Sequence, residues 1–444
     1  MIHSSIHTVQ YPDGSFQRFQ RVRPGRWEEL FFTQPVSIPG AYHQVLQLYQ
    51  EYLIPRYRPF LKTCLLFRIP DSMKQNEPVK YRNTVYFQTE AYMATRLRDA
   101  VHYRRSFLSV DSPEAQQLYA QLNDSGCLGI ASGKLPGVSI LPVGDTFGFL
   151  SETSASLAVN ASFFIMNPPD VTSPFDSIGT SFGLAVQNGT VLYPPLFERE
   201  ALLVHQSGKV ELRNVSLSET SVEIDGTVYQ DGRNCTFFSR PKSIRTPKGG
   251  YDLVISGNRL AALSQDGNTP VPSSGFVIHL DTCPTPGKNP VVQFHGFETV
   301  LVGIQGGCSA VISGKKATRF HSSFHDFRKP WTHSFPPTFY PLNFQKDRAP
   351  RILIGSDSQD QPVLLWLEGA GKYGYVPGQE SCGASLAEAA EIAASAGMVN
   401  ALHLDGGGSA QIRINGTRSL KVSDRDPVTL EEQERAVSLA ICAN

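Results

Sequence analysis

The stretch "LHLDGGGSAQIRING", residues 402–416, decides how the rest of the chain is read. An apolar segment runs into Asp405, then Gly406, Gly407, Gly408 and Ser409, then an alternating segment that closes on Asn415-Gly416. Leu402 and Leu404 alternate with His403 and Asp405, which places the polar pair on one face of an extended strand, about 6.5–7 Å apart. A carboxylate followed by so much bare backbone suits a phosphate cradle, a metal ligand, a catalytic acid or a tight turn. The P-loop spacing is absent, no lysine follows, and there is no GxGxxG. A strand comes next, so no helix N-terminus is available to receive a phosphate. Nucleoside triphosphate and dinucleotide binding are therefore set aside. Glycines there permit positive φ and let a ligand approach the main chain. The N–H groups of 406–409 suit a small anion nest, and an Asp-Gly turn suits the same residues.

Immediately upstream, "SLAEAAEIAASAG" (385–397) predicts a helix. Ser385-x-x-Glu388 is a capping box and Gly397 a stop signal. From about residue 136 onward, short apolar or alternating segments recur, among them "FGLAVQNGTVLYPP", "SVEIDGTVYQ", "YDLVISGNRLAAL" and "RILIGSDS". Asn-Gly, Asp-Gly, Ser-Gly and Gly-Asn separate them, which favours hairpins. No repeat of 20–50 residues is visible, against a propeller or solenoid. Residues 1–135 are aromatic-rich, and "VLQLYQEYLIPRYRPFL" and "TEAYMATRLRDAVHYRRSFL" predict amphipathic helices. The expected architecture is α+β: a mostly antiparallel β-sheet domain over 136–444 with a few packed helices, preceded by a smaller, mixed, partly helical region over 1–135 of unassigned role.

Composition narrows the function. The chain has 444 residues and formal net charge zero, so nothing global points to nucleic acid or a membrane surface. Basic residues interleave with aromatics near 56–60 and 103–107, a pattern read here as helix packing with snorkelling arginines, with binding of a nucleic acid or a phosphate polymer as the alternative. The seven cysteines are dispersed with no CxxC pair, against a disulfide framework or structural zinc. The N-terminus lacks a basic-then-apolar leader, and no long apolar run is present. The expectation is a cytoplasmic, soluble protein with no cofactor and no metal; its oligomeric state is open.

Other polar residues head apolar strands. Asn160 ends one in "VNASFF", Arg351 starts "RILIGSD", and Arg435 opens the face of "ERAVSLAI". A buried arginine requires a partner or an anion; Asp405 and Glu434 are the candidate partners of Arg435.

Taken together, these segments resemble the phosphodiester glycosidase family. "VNASFF" is similar to its N-G-G-F-F segment, "GLAVQNGTVLYPP" to the hairpin that follows, and "RILIGSD" to its R-T-x-I-G strand. Residues 383–416 resemble its helix leading into N-L-D-G-G-G-S, and "ERAVSLAI" its closing E-R-x-V strand. Ala161-Ser162 stand where the family carries a glycine pair, Ile352 where threonine is usual, and His403 where asparagine is usual. The resemblance implies hydrolysis of a sugar-1-phosphate diester at the glycosidic bond. Asp405, Glu434 and His403 are then catalytic candidates. Asn160, Arg351, Gly406, Gly407, Gly408, Ser409 and Arg435 become substrate-binding candidates. The expected partner is a small-molecule or glycan phosphodiester. A binding module that holds phosphosugars or anionic glycans without cleaving them is the alternative. A metal-dependent phosphodiesterase is a weaker third reading.

Overall fold

The computed structural model describes residues 2–35, 148–165, 173, 175–176, 179–181, 183–287, 290–317, 347–370, 375–425 and 431–444. These form 23 strands and one α-helix, in sheets of seven, five, four, four and three strands. Every pairing between named strands is antiparallel. The expected α+β class is therefore corrected to a mostly antiparallel β fold carrying a single helix among the described residues. The additional helices are expected on the aromatic-rich segments 45–61 and 89–108, which lie outside the described residues, as does the expected boundary near 135. The part of that region that is described is extended: strands His3–Gln10, Phe16–Arg23 and Leu30–Thr33 join sheets built by the later chain.

Three sheets share one core. The seven-stranded sheet contributes Ile352, Ile354, Trp366 and Leu402, one four-stranded sheet Leu157, Val159, Ile412 and Ile441, and the five-stranded sheet Leu202, Val204, Val302 and Ile304. Strand Arg199–His205 shows the two-residue period at work. Leu202 and Val204 face this core, while Ala201 and Leu203 face a second core shared with the remaining sheets. A strand buried on both faces reads as a continuous apolar run, as "ALLV" does.

The outer face of the seven-stranded sheet is covered by helix Leu386–Ser395, whose Ala389, Ala390 and Ala393 pack on Leu353, Leu365 and Ala401. Its capping box forms as the sequence predicts: Glu388 N–H donates to Ser385 Oγ at 3.2 Å, and Ser385 N–H to Glu388 Oε2 at 2.9 Å. Gly397 follows the helix at φ 83°, the left-handed conformation expected of a stop glycine. The predicted turns at Asn188-Gly189, Asp225-Gly226 and Asn415-Gly416 have both residues at positive φ, the geometry that suits two-residue hairpins.

The chain crosses between sheets at the glycine-rich segment. Strand Asn400–His403 lies inside the seven-stranded sheet, paired to Arg351–Ser356 and Ser309–Ile312. Strand Ile412–Ile414 belongs to the four-stranded sheet, paired to Leu157–Asn160. Leu404 and Ala410 anchor the two flanks of the loop in the shared core.

Candidate active site

Asp405 sits half-buried at the mouth of this crossing. Burial pushes its carboxyl up from the ordinary 3.8 to about 6. The Ser409 hydroxyl, the Arg435 guanidinium and the Gly406 N–H oppose the rise, and the Asp424 carboxylate adds to it. Ser409 Oγ is buried and makes no regular hydrogen bond, yet lies close enough to the carboxylate to favour its charged form.

Asn160 fixes the loop from the neighbouring sheet. Its Nδ2 donates to the Asp405 carbonyl at 2.7 Å, and its Oδ1 accepts from Gln411 N–H at 3.0 Å. Gln411 Nε2 in turn donates to the Arg435 carbonyl at 2.9 Å. The side chain expected to meet substrate is thus spent on holding both flanks of the Gly-rich turn.

The glycines give the turn clearance, and two of its four N–H groups are engaged by main-chain carbonyls within the fold. Gly407 N–H donates to the Pro350 carbonyl at 3.0 Å and Ser409 N–H to the Gly406 carbonyl at 3.1 Å. Gly407 adopts φ 58°. A methyl on Gly408 would run into Arg435 Nη2 and Asp424 Oδ1, and one on Gly406 would approach the Pro350 carbonyl. The absence of side chains lets the turn lie directly on two neighbouring segments.

Arg435 is 4% exposed and is held in a two-pronged ion pair: Nε donates to Asp424 Oδ2 at 2.7 Å and Nη2 to Asp424 Oδ1 at 2.9 Å. Its partner in that ion pair is Asp424, which the sequence did not single out, and the same guanidinium also lowers the Asp405 carboxyl, one of the two acids expected beside it. Arg351 is 6% exposed, with Nε on the Ala384 carbonyl at 2.9 Å and Nη2 on the Asp347 carbonyl at 3.1 Å. Burial lowers its pKa to about 10, which still leaves it cationic at neutral pH.

His403 pairs in register with Leu353 and is 3% exposed. Burial and the Arg351 charge pull its imidazole down to about 3. It is neutral across any ordinary pH, so an imidazolium is not available there as a proton donor. Its Nε2 is buried without a hydrogen-bond partner. Glu434 points elsewhere. Its Oε2 accepts from Arg413 Nη2 at 2.6 Å and its Oε1 from Ser151 N–H at 3.0 Å. Neighbours on an extended segment project to opposite sides, so Arg435 toward the turn places Glu434 away from it.

The structure thus gathers Asp405, Ser409, the three glycines, Asn160, Gln411, Arg435 and Asp424 into one connected group. Arg351 and His403 stand beside it on the seven-stranded sheet. Asp424 and Gln411 are the members the sequence did not disclose. Among the described residues no group of three or more His, Cys, Asp or Glu is arranged to hold a metal ion.

One half-buried acid with a raised pKa, beside the buried Arg435 guanidinium at a seam of β-sheets, is the arrangement of an acid–base site. Residues 153–443 match the phosphodiester glycosidase family, and the chain belongs to that family. Its curated relatives include the bovine and human N-acetylglucosamine-1-phosphodiester alpha-N-acetylglucosaminidases, each 35% identical over 94 residues. The match covers 21% of this chain and 16% and 17% of those proteins, so the shared stretch is less than a fifth of their length. Similar solved structures include a zebrafish N-acetylglucosamine-1-phosphodiester alpha-N-acetylglucosaminidase catalytic domain, auto-inhibited by its pro-peptide. It is 11% identical with TM-score 0.43, and the match covers 100% of this chain and 83% of that one. A hypothetical protein from Synechocystis is 15% identical with TM-score 0.43, over 99% of this chain and 61% of that one.

Proposed function

We propose that the chain is a hydrolase that cleaves a sugar-1-phosphate diester at the glycosidic bond, with Asp405 acting on the sugar side. The observation that carries this reading is Asp405 itself: half-buried, its main-chain carbonyl held from a second sheet by Asn160, and its carboxyl poised near pH 6. A group with that pKa is mostly ionised at neutral pH yet basic enough to take a proton from water.

An ordinary glycosidase uses two carboxylates, one to protonate the leaving oxygen. Here the leaving group is a phosphate monoester, whose second pKa of about 6 makes it a stable anion near neutral pH. The carbon–oxygen bond breaks toward the phosphate, and water delivers hydroxide to the anomeric carbon while Asp405 takes the proton. No strong acid is required. That fits the placement of Glu434 in an ion pair with Arg413 and the neutrality of His403. The charges of Arg351 and Arg435 offset the developing phosphate charge in a site of low polarity.

The test is release of free sugar from a panel of sugar-1-phosphodiesters and nucleotide sugars. N-acetylglucosamine comes first, because the curated relatives carry that sugar in their names. Asp405→Asn is expected to remove most turnover while the protein stays folded. Arg351→Lys is expected to raise KM. Binding of a phosphodiester with no released sugar, in the wild type and at any pH, overturns hydrolysis and leaves a phosphosugar-binding module.

A further inference from the structure

The seven-stranded sheet ends differently on its two sides. One edge is the two-residue strand Lys315–Lys316, charged and too short to template another strand. The other edge is His3–Gln10, the outer strand of the N-terminal hairpin. It pairs with Phe16–Arg23 along its whole length without a register shift. Among the described residues, two other edge strands reach six residues or more. Val210–Val215 carries Glu211 and Arg213, and the pairing of Arg259–Gly267 with Lys248–Ser256 is interrupted by register shifts. Charges and bulges are the usual guards of an open edge. The segment "IHSSIHTVQ" (2–10) has neither, and it has no proline.

The end of the hairpin shows which main-chain groups face outward. Tyr11 N–H donates to the Ser15 carbonyl at 2.9 Å, and the Tyr11 carbonyl accepts from Gly14 N–H at 3.0 Å. Both groups of Tyr11 thus point toward the second strand. Along an antiparallel pair this direction alternates from residue to residue. Val9, His7, Ser5 and His3 therefore bond inward, while the N–H and C=O groups of Gln10, Thr8, Ile6 and Ser4 point off the sheet. The strand has no second neighbour among the described residues. Ile6, at its centre, is 49% exposed.

We propose that this edge pairs with the same strand of a second copy of the chain, antiparallel about a two-fold axis through Ile6. Opposed residues must share a face and must both point outward, which restricts the pairs to Ser4, Ile6, Thr8 and their even-numbered neighbours. The register centred on Ile6 packs its exposed side chain on Ile6 of the other copy and sets Ser4 against Thr8. A second copy is the occupant because the strand is its own complement. Residues 2–10 hold no Lys, Arg, Asp or Glu, so no like charges are opposed. Ile6 gains an apolar cross-strand partner, and the Ser4 and Thr8 hydroxyls face each other. The contact is isologous and closes after two molecules, with only the guarded Lys315–Lys316 edge left at either end of the joined sheet. This surface has no residue in common with the Asp405 group and does not depend on the reaction proposed there.

Sedimentation velocity on the full chain over a range of concentrations tests it. A reversible dimer is expected. Thr8→Pro deletes an outward N–H and leaves the inward bonds of the hairpin in place; it is expected to weaken association by roughly tenfold or more. Ile6→Lys opposes like charges on the axis, as does Ile6→Glu, and each is expected to weaken association to a similar degree. An equimolar mixture of Ile6→Lys and Ile6→Glu is expected to restore the dimer, an outcome that misfolded variants would not give. Ile6→Cys is expected to form a disulfide-linked dimer on oxidation, beyond any formed by the wild-type cysteines, because opposed hydrogen-bonded residues have Cα atoms about 5.5 Å apart. A chain that is monomeric at every concentration, a dimer unchanged by Thr8→Pro and Ile6→Lys, a mixture that stays monomeric, or an Ile6→Cys dimer that does not cross-link each overturns the proposal.

Discussion

Replacing Asp424 by asparagine probes the candidate active site through a residue two contacts removed from any substrate. Asp424 holds the 4%-exposed Arg435 with two bonds of 2.7 and 2.9 Å. Removing one partner of a buried pair outright costs about 3–5 kcal/mol. Asparagine retains an acceptor oxygen and the Asp424 side chain is 17% exposed, so the expected loss is smaller, about 1.5–3 kcal/mol in urea unfolding. The second effect is electrostatic and has a definite sign. The Asp424 carboxylate helps hold the Asp405 pKa up, while Arg435 pulls it down. Asparagine removes the repulsion and leaves the Arg435 charge more fully available to Asp405. Both changes lower the Asp405 pKa. If ionised Asp405 is the working form, kcat/KM rises with pH through that pKa. Its acid limb is then expected near pH 6 in the wild type and at a lower pH in the variant, burial still holding it above the ordinary value. The assay is kcat/KM on a sugar-1-phosphodiester between about pH 4 and 8, with each variant's folding checked at every pH. An acid limb that stays in place or moves upward while stability falls refutes the coupling.

Three further outcomes are expected. Asp405 has a folded pKa of about 6, above its ordinary 3.8, so the stability it contributes is fully present below about pH 3.8 and is lost as pH rises through about 6. The thermal midpoint of Asp405→Asn should gain on wild type between those limits, and a constant difference would count against a strained carboxylate. Asn160→Ala leaves the Gln411 N–H and the Asp405 carbonyl without their partner, for a loss of about 2–5 kcal/mol in urea unfolding; a loss under about 1 kcal/mol would mean water replaces the amide. Glu434→Gln loosens the ion pair with Arg413 and should lower stability by about 1–3 kcal/mol while kcat stays within a few-fold of wild type. A drop of about a hundredfold in kcat instead returns Glu434 to the reaction.

Much of the candidate site was legible because its signals are local. The strand–loop–strand order around Asp405, the capping box at Ser385 and the Asn-Gly turns each depend on a few adjacent residues. Asp424 was not legible. It reaches Arg435 across ten intervening residues, and nothing in "KVSDRDPV" marks one of its two aspartates as a partner. The N-terminal hairpin was hidden for a different reason. "FQRFQRVR" carries Gln17 and Gln20 at buried positions, so its strand face does not look apolar. Gln17 belongs there because its amide donates to the Glu368 carbonyl at 2.6 Å in the adjoining segment. Side chains that serve the main chain of a distant strand read as surface until the fold is known. The helices expected on the aromatic-rich segments fall outside the described residues, and the alanine-rich run is the helix that the described residues bear out.

The Asp405 turn hangs between two sheets, reached by the backbone from one and gripped by Asn160 from the other. It therefore works as a gauge of whether those sheets are seated against each other. A molecule whose seam has parted loses the geometry around Asp405 even if every strand within each sheet stays paired. Activity lost on gentle warming would thus report the seam, at a temperature where strand content is unchanged, and substitutions that tighten the contact of Ile412 and Ile441 with Ile352 and Leu402 would carry turnover to higher temperature without touching the site.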